Sequence, residues 1–202
     1  MFAYNIIDFM IKNLCLKIVY KVLIMVSLSL FLCVGIATLS NLYLKQVVYP
    51  LSYKEQVFKY ADKYNLERSL VFAVIKTESN FDKNAVSSAG AVGLMQITNS
   101  TAKYIATNLG EKEYQLTNPE INIKFGCYYL KYLHLKFENM ETALVAYNAG
   151  EGNVLKWLYD KNFSTDGKSL KHIPFNESRE YIKKIKRNTK KYNKLYNKIL
   201  DK

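Results

Sequence analysis

From Val22 to Leu44 the chain runs for 23 residues without a charge, and most of them are apolar. A helix on a soluble core keeps a polar stripe, whereas one that is apolar all round needs lipid or a deep interior. Wound at about 1.5 Å per residue, this stretch covers about 34 Å, enough for a hydrocarbon layer of about 30 Å. Lys12, Lys17 and Lys21 precede it, and only Lys45 closely follows. The positive-inside bias then keeps residues 1–21 in the cytoplasm and places residues 45–202 on the extracytoplasmic side. The run is longer than the apolar part of a cleaved signal peptide, about 7–15 residues, and Gly35-Ile36-Ala37 is a weak cleavage site within it. Cys33 follows Leu30-Phe31-Leu32, without the small residue a lipoprotein signal requires, so an uncleaved single-pass signal anchor is expected.

Charge is spread unevenly along the chain. The net charge of +12 divides into +3 over residues 1–49, +1 over 50–170 and +8 over 171–202. The high pI therefore describes a basic C-terminal tail, and no nucleic-acid reading motif accompanies it. That tail is suited to anionic lipid or anionic wall polymer, or it is a solvated face whose apolar stripe packs on the domain. The cysteines, Cys15, Cys33 and Cys127, are too few and too scattered for a disulfide framework. His134 and His172 lack ligand-spaced partners, so neither a zinc site nor a Ser-His-Asp hydrolase is indicated.

After a short linker, residues 45–52, the segment 53–202 reads as one all-α domain. It has only Pro119 and Pro174, and its apolar positions recur at three and four. Asn65 is the expected N-cap of a helix carrying Leu70, Val71, Val74, Ile75 and Glu78. Further helices are predicted over Ile121–Leu135, Thr142–Tyr147 and Arg179–Leu200. The last has Tyr181, Ile182, Ile185, Tyr192, Leu195, Tyr196 and Ile199 on one stripe and lysines opposite. Polar residues 160–169 read as a loop.

Glu78 falls on the wrong face for a solvated carboxylate. It lies three residues after Ile75, four after Val74 and seven after Val71, at the C-terminal end of its helix. Lost hydration and the negative end of the helix dipole both disfavour ionisation and raise its pKa. A carboxylic acid protonated near neutrality is what protonation of a leaving oxygen requires. The competing reading is a glutamate turned into solvent at a frayed helix end. Nearby, Phe81 can cover the carboxyl group, and Ser87 and Ser88 lie in the next turn. Gly90-Ala91-Val92-Gly93 admits close backbone approach, and Met95-Gln96 pairs a thioether with an amide. Ala146-Tyr147-Asn148-Ala149-Gly150 adds an aromatic face and a second amide. Together these suit a glycan bearing N-acetyl groups.

Four segments, in order, carry a family likeness. Glu78-Ser79-Asn80-Phe81, then Ala85, Ser87 and Gly90-Ala91-Val92-Gly93-Leu94-Met95-Gln96-Ile97, resembles the signature of soluble-type lytic transglycosylases (the SLT domain, glycoside hydrolase family 23). Asn122-Ile123-Lys124-Phe125-Gly126 with Tyr129-Leu130 is similar to the family's second motif, and Ala143 to Gly150 to its third. Pro174 with Glu177-Ser178-Arg179-Glu180-Tyr181-Ile182 is similar to its fourth. Two departures are visible: Asn99 stands where a proline is common, and Ser178 where a threonine is usual.

The resemblance implies a lysozyme-like helical fold that cleaves the MurNAc–GlcNAc β-1,4 bond of peptidoglycan without metal or cofactor. By that likeness Glu78 is the single catalytic acid and then base. Ser87 binds near Glu78 and the N-acetyl group, Met95 and Gln96 line the sugar site, Tyr147 and Asn148 shape the cleft, and the Tyr181 hydroxyl approaches Glu78. With one carboxyl group in place of the usual pair, the attacking group is the sugar's own C6 hydroxyl, giving a 1,6-anhydro end. A hydrolytic muramidase of the same fold and a non-catalytic glycan-binding or scaffold protein are the alternatives. Eight linker residues span at most about 28 Å, so glycan close to the membrane is the expected substrate.

Overall fold

The computed structural model describes residues 2–200, except that the side chains of residues 2–9, 11, 12 and 15 are not described. Met1, Asp201, Lys202 and the side chains of Lys12 and Cys15 therefore lie outside the described residues. The chain divides into two compact units, residues 1–50 and 51–202.

The first unit is a single helix, α1 (Phe2–Tyr43), continued by a π-helical turn over Leu44–Val48. Its stretch Leu16–Val48 is long and apolar enough to cross a membrane, with a mean hydropathy of 2.6 over an 18-residue window within it. Large side chains such as Leu28, Phe31 and Leu39 stand exposed on it. Two hydroxyls within the apolar run turn back onto the helix backbone. Ser27 Oγ donates to the Ile24 carbonyl and Thr38 Oγ1 to the Gly35 carbonyl, each at 2.8 Å. Such bonds satisfy hydroxyls where no water is available. Residues 45–48 continue the helix rather than extending, because their backbone bonds close within the turn, with Tyr49 N–H on the Leu44 carbonyl at 2.7 Å. The short linker, residues 45–52, is thus partly helical, and its reach falls below the extended-chain limit.

The second unit is helical throughout: α2 (Lys54–Lys63), α3 (Arg68–Ser79), α4 (Asn99–Leu109), α5 (Pro119–Phe137), α6 (Met140–Ala149), α7 (Glu151–Tyr159) and α8 (Asn176–Leu200). Among the described residues there is no sheet, only two isolated antiparallel bridges, Val86 to Val92 and Val92 to Ile97. Side chains cap the starts of three helices. Thr98 accepts from Thr101 N–H, Asn118 from Glu120 and Ile121 N–H ahead of Pro119, and Asn139 from Thr142 N–H. Asn99 is the first residue of α4, so the absent proline changes a helix start and no more.

Helix α3 is the centre of this unit. Every residue from Ser69 to Ile75 is buried, with Val71 to Ile75 fully enclosed. Helix α8 packs along it, α2 covers another side, and α5 pairs with α6. Aromatic rings knit α3 to α8: Phe72 stacks on Tyr192 at 5.4 Å, and Tyr192 on Tyr196 at 6.2 Å.

Two expectations are corrected. Asn65 is not a cap. It adopts a left-handed conformation (φ 51°) ending the turn after α2, and α3 begins after Glu67, whose side chain makes no cap bond. The stripe on α8 holds for Tyr181, Ile182, Ile185, Tyr192 and Tyr196, but a kink at Tyr196 (φ −136°) rotates the last turn. Leu200 is therefore buried there, while Ile199 is 39% exposed.

Candidate active site

Glu78 is the penultimate residue of α3, and the helix stops there for a local reason. Asn80 and Phe81 both adopt left-handed conformations, with φ of 49° and 69°. For a phenylalanine this conformation is strained. Phe81 does so with its ring against Phe72, 6.4 Å between centroids. The break leaves the Glu78 carboxyl group at an abrupt helix end, close to the start of a loop.

That loop, residues 82–98, is built by its own polar groups. Ser87 N–H donates to the Ala91 carbonyl at 2.9 Å, and Ala91 N–H returns to Ser87 Oγ at 3.0 Å. Gly93 N–H reaches the Ala85 carbonyl, and Val92 and Ile97 exchange both backbone bonds. Gln96, at φ 49°, turns its amide inward to donate to the carbonyls of Ala85 (3.1 Å) and Gly93 (2.9 Å). Side chains of α3, α5 and α6 fix the loop to the helices. Ser79 Oγ donates to the Leu94 carbonyl at 2.9 Å. Asn122, fully buried on α5, accepts from Met95 N–H at 2.7 Å and donates to the carbonyls of Val92 (2.9 Å) and Leu116 (2.8 Å). Gly93 is required by this clamp, since it holds φ 81° and a Cβ there would sit 2.9 Å from Asn122 Cγ.

The carboxyl group itself meets one strong partner. Tyr181 Oη, from the first half of α8, donates to Glu78 Oε1 at 2.7 Å. Burial pushes the Glu78 pKa up from 4.5 to about 7, the charge of Glu177 pushes the same way, and the Tyr181 hydrogen bond pulls against both. Burial also holds the hydroxyls of Tyr147 and Tyr181 protonated, with the charge on Glu78 as the next largest cause. Tyr147 Oη, at the end of α6, donates to the Met95 carbonyl at 2.8 Å. One turn before Tyr181, Ser178 Oγ donates to Asn148 Oδ1 at 2.6 Å, joining the start of α8 to the end of α6. The hydroxyl kept at position 178 thus bridges two of the segments.

The structure brings Glu78, Tyr147 and Tyr181 together, with Asn148 held beside them by Ser178. It places Ser87 and Gln96 in the adjoining loop, where their side-chain bonds are to the loop's own backbone. Met95 is different. Its side chain is wholly enclosed and packs on Gly126, where a Cβ would lie 2.8 Å from Met95 Cβ. Its thioether therefore fills the space beneath the loop and does not line a sugar surface. The clamp made by Asn122 is not foreseen from the sequence, where this residue stands out only as part of a motif. A signal is nonetheless present, because Asn122 lies on the same face as Phe125, Gly126, Leu130 and Leu133. The pattern that singles out Glu78 singles it out too. Among the described residues no group of three His, Cys, Asp or Glu side chains is arranged to hold a metal.

Residues 55–170 match the transglycosylase SLT domain. Soluble lytic murein transglycosylase of Salmonella typhimurium is 34% identical over 143 residues, covering 68% of this chain and 22% of that protein. Membrane-bound lytic murein transglycosylase C of Yersinia pestis is 33% identical over 168 residues, covering 69% and 46%. Among solved structures, an inactive Glu-to-Gln mutant of the Pseudomonas aeruginosa lytic transglycosylase Slt superposes with a TM-score of 0.64 at 31% identity, covering 72% of this chain and 24% of that one. The 70 kDa soluble lytic transglycosylase of Escherichia coli gives 0.63 at 29% identity, covering 72% and 25%. The chain therefore spans about a fifth of the length of the soluble relative and about half of the membrane-bound one.

Proposed function

The chain belongs to the transglycosylase SLT domain family, and from that membership we propose that it is a membrane-anchored lytic transglycosylase cutting the MurNAc–GlcNAc β-1,4 bond of peptidoglycan. The observation that carries this reading is the Glu78 carboxyl group, buried to a pKa of about 7 and held by Tyr181 at 2.7 Å. Near neutral pH such a group both gives and takes a proton readily.

In the first step Glu78 transfers its proton to the glycosidic oxygen, and GlcNAc leaves with a free 4-hydroxyl. The bond to MurNAc C1 breaks, and the carbonyl oxygen of that sugar's N-acetyl group stabilises the charge that develops. In the second step the Glu78 carboxylate takes the proton from the C6 hydroxyl of the same MurNAc. The freed oxygen closes on C1, forming the 1,6-anhydro ring and returning Glu78 to its starting state. No water is consumed. Tyr181 supports both states, since its hydroxyl donates to the carboxylate and need not leave when the acid is protonated. Tyr147 and Asn148 flank the sugar, and Gln96 and Ser87 shape the loop against which it lies. The glutamate-to-glutamine mutant described as inactive in the Pseudomonas relative fits a mechanism that depends on one carboxyl group.

Mass spectrometry of digested peptidoglycan tests the reading. The full chain should release fragments with anhydro ends, one water lighter than hydrolysis products, and Glu78→Gln should release none. Products with reducing ends would instead make it a hydrolytic muramidase, and binding without products would leave a glycan-binding protein.

The anchor is residues 22–44, with residues 1–21 cytoplasmic and the catalytic domain, residues 53–202, outside. The exposed apolar helix Leu16–Val48 and the name of the Yersinia relative support this placement. The exposed lysines of α8 outside the Lys183–Glu180 and Lys186–Glu141 pairs would meet anionic lipid or wall polymer. Protease added to protoplasts should digest residues 51–202. Protection of that unit would contradict the topology.

A further inference from the structure

A run of tyrosine rings leads away from the reacting pair. Tyr147, whose hydroxyl binds the Met95 carbonyl, has its ring centroid 5.7 Å from Tyr129 of α5. Tyr129 lies 6.0 Å from Tyr132, nearly parallel at 17°, and Tyr132 lies 5.4 Å from Tyr104 of α4. The first three residues are half-buried, and Tyr104 is 41% exposed. The run thus begins beside Glu78 and ends at the surface, crossing from α6 through α5 to α4.

These rings are held in place. Tyr132 Oη lies 3.3 Å from Glu151 Oε1 and 3.5 Å from Lys136 Nζ, and Lys136 and Glu151 pair directly. Tyr129 and Tyr132 sit three residues apart on one face of α5, which fixes their order along the helix. A pyranose ring has an apolar face of C–H groups and a polar rim, and a fixed tyrosine offers it a ring to stack on and a hydroxyl to bond. Because the rings are already ordered, a strand laid on them loses little additional side-chain freedom.

We infer that Tyr129, Tyr132 and Tyr104 form a glycan-stacking track that continues outward from Tyr147 and holds sugar units distant from the bond being cut. The inference rests on the proposed transglycosylase reading and extends it to a preference for long strands. A short substrate fills the reacting centre and leaves the outer rings bare, whereas a long one gains a contact at each ring.

The test compares tetrasaccharide and octasaccharide glycan strands as substrates for the full chain in detergent, reading kcat/KM for each. The expected result is that Tyr104→Ala lowers the ratio of long-strand to short-strand kcat/KM by about 2- to 10-fold, the span of a stacking contact of this kind, and does so through KM. Tyr104→Phe retains the ring and the ratio, and Tyr159→Ala, at a residue 89% exposed on α7, leaves the ratio unchanged. An unaltered ratio in Tyr104→Ala, or equal loss on both strands, overturns the track while leaving the proposed activity in place. If the unmodified chain cuts neither strand, the activity falls and the track with it.

Discussion

Replacing Tyr181 by phenylalanine removes one hydroxyl and leaves a ring of the same shape, so the Glu78 environment changes by a single hydrogen bond. That bond, 2.7 Å to Oε1, is the force holding the Glu78 pKa down against burial and the charge of Glu177. A hydrogen bond to a charged group contributes about 1.5–3 kcal/mol net, and one pKa unit corresponds to about 1.4 kcal/mol. Part of the bond survives with the protonated acid, so the difference between the two states is nearer the lower figure, and the pKa should rise by about one unit. Bond cleavage needs the acid form, so kcat/KM falls as pH rises through the pKa of the free enzyme. For the unmodified chain that alkaline limb should lie near 7. In Tyr181→Phe it should move to about 8, with the rate at its plateau reduced. Initial rates on soluble glycan strands across pH 5 to 9 measure both limbs. A limb that stays where it was, or moves toward acid, would refute the assignment of Tyr181 as the group that stabilises the carboxylate.

The burial of Glu78 also costs stability. Its folded-state pKa, about 7, exceeds the ordinary 4.5, so between those values the native state holds a proton that the unfolded chain has released. Stability therefore falls as pH rises from 4.5 to 7, by up to about 3 kcal/mol. Glu78→Gln should accordingly unfold at higher denaturant than the unmodified chain at pH 8, with the difference vanishing below pH 4.5. Loss of the buried Asn122 clamp in Asn122→Ala leaves Met95 N–H and the Leu116 carbonyl without these partners and removes one of two bonds from the Val92 carbonyl, which keeps Ile97 N–H. This should destabilise the domain by about 3–5 kcal/mol in denaturant unfolding, and a change under 1 kcal/mol would contradict the clamp.

How much of the molecule is legible in the sequence varies with the kind of signal. Helices with a strong apolar face are visible: α3, α5, α6 and α8 lie close to where the spacing places them. Helices α2, α4 and α7 do not stand out, because their apolar positions are interrupted by lysines, threonines and asparagines. The kink at Tyr196 escapes because nothing in its local sequence breaks a helix. At the site, Glu78 shows itself by position on an apolar face. Its pairing with Tyr181, 103 residues away, is reached only through family likeness, since no periodicity links distant segments. Met95 is misplaced for a related reason. A thioether suits a methyl-bearing ligand and a core gap equally well, and the presence of Gly126 beneath it decides for the core.

The proposed chemistry turns on a carboxyl group at position 78 that keeps its proton close to neutral pH. Carbon-13 NMR of the full chain labelled at glutamate side chains, with Glu78→Gln identifying the resonance, measures this directly. Glu78 should titrate with a midpoint near 7. A midpoint below 5, in the range of a solvated carboxylate, would contradict the assignment.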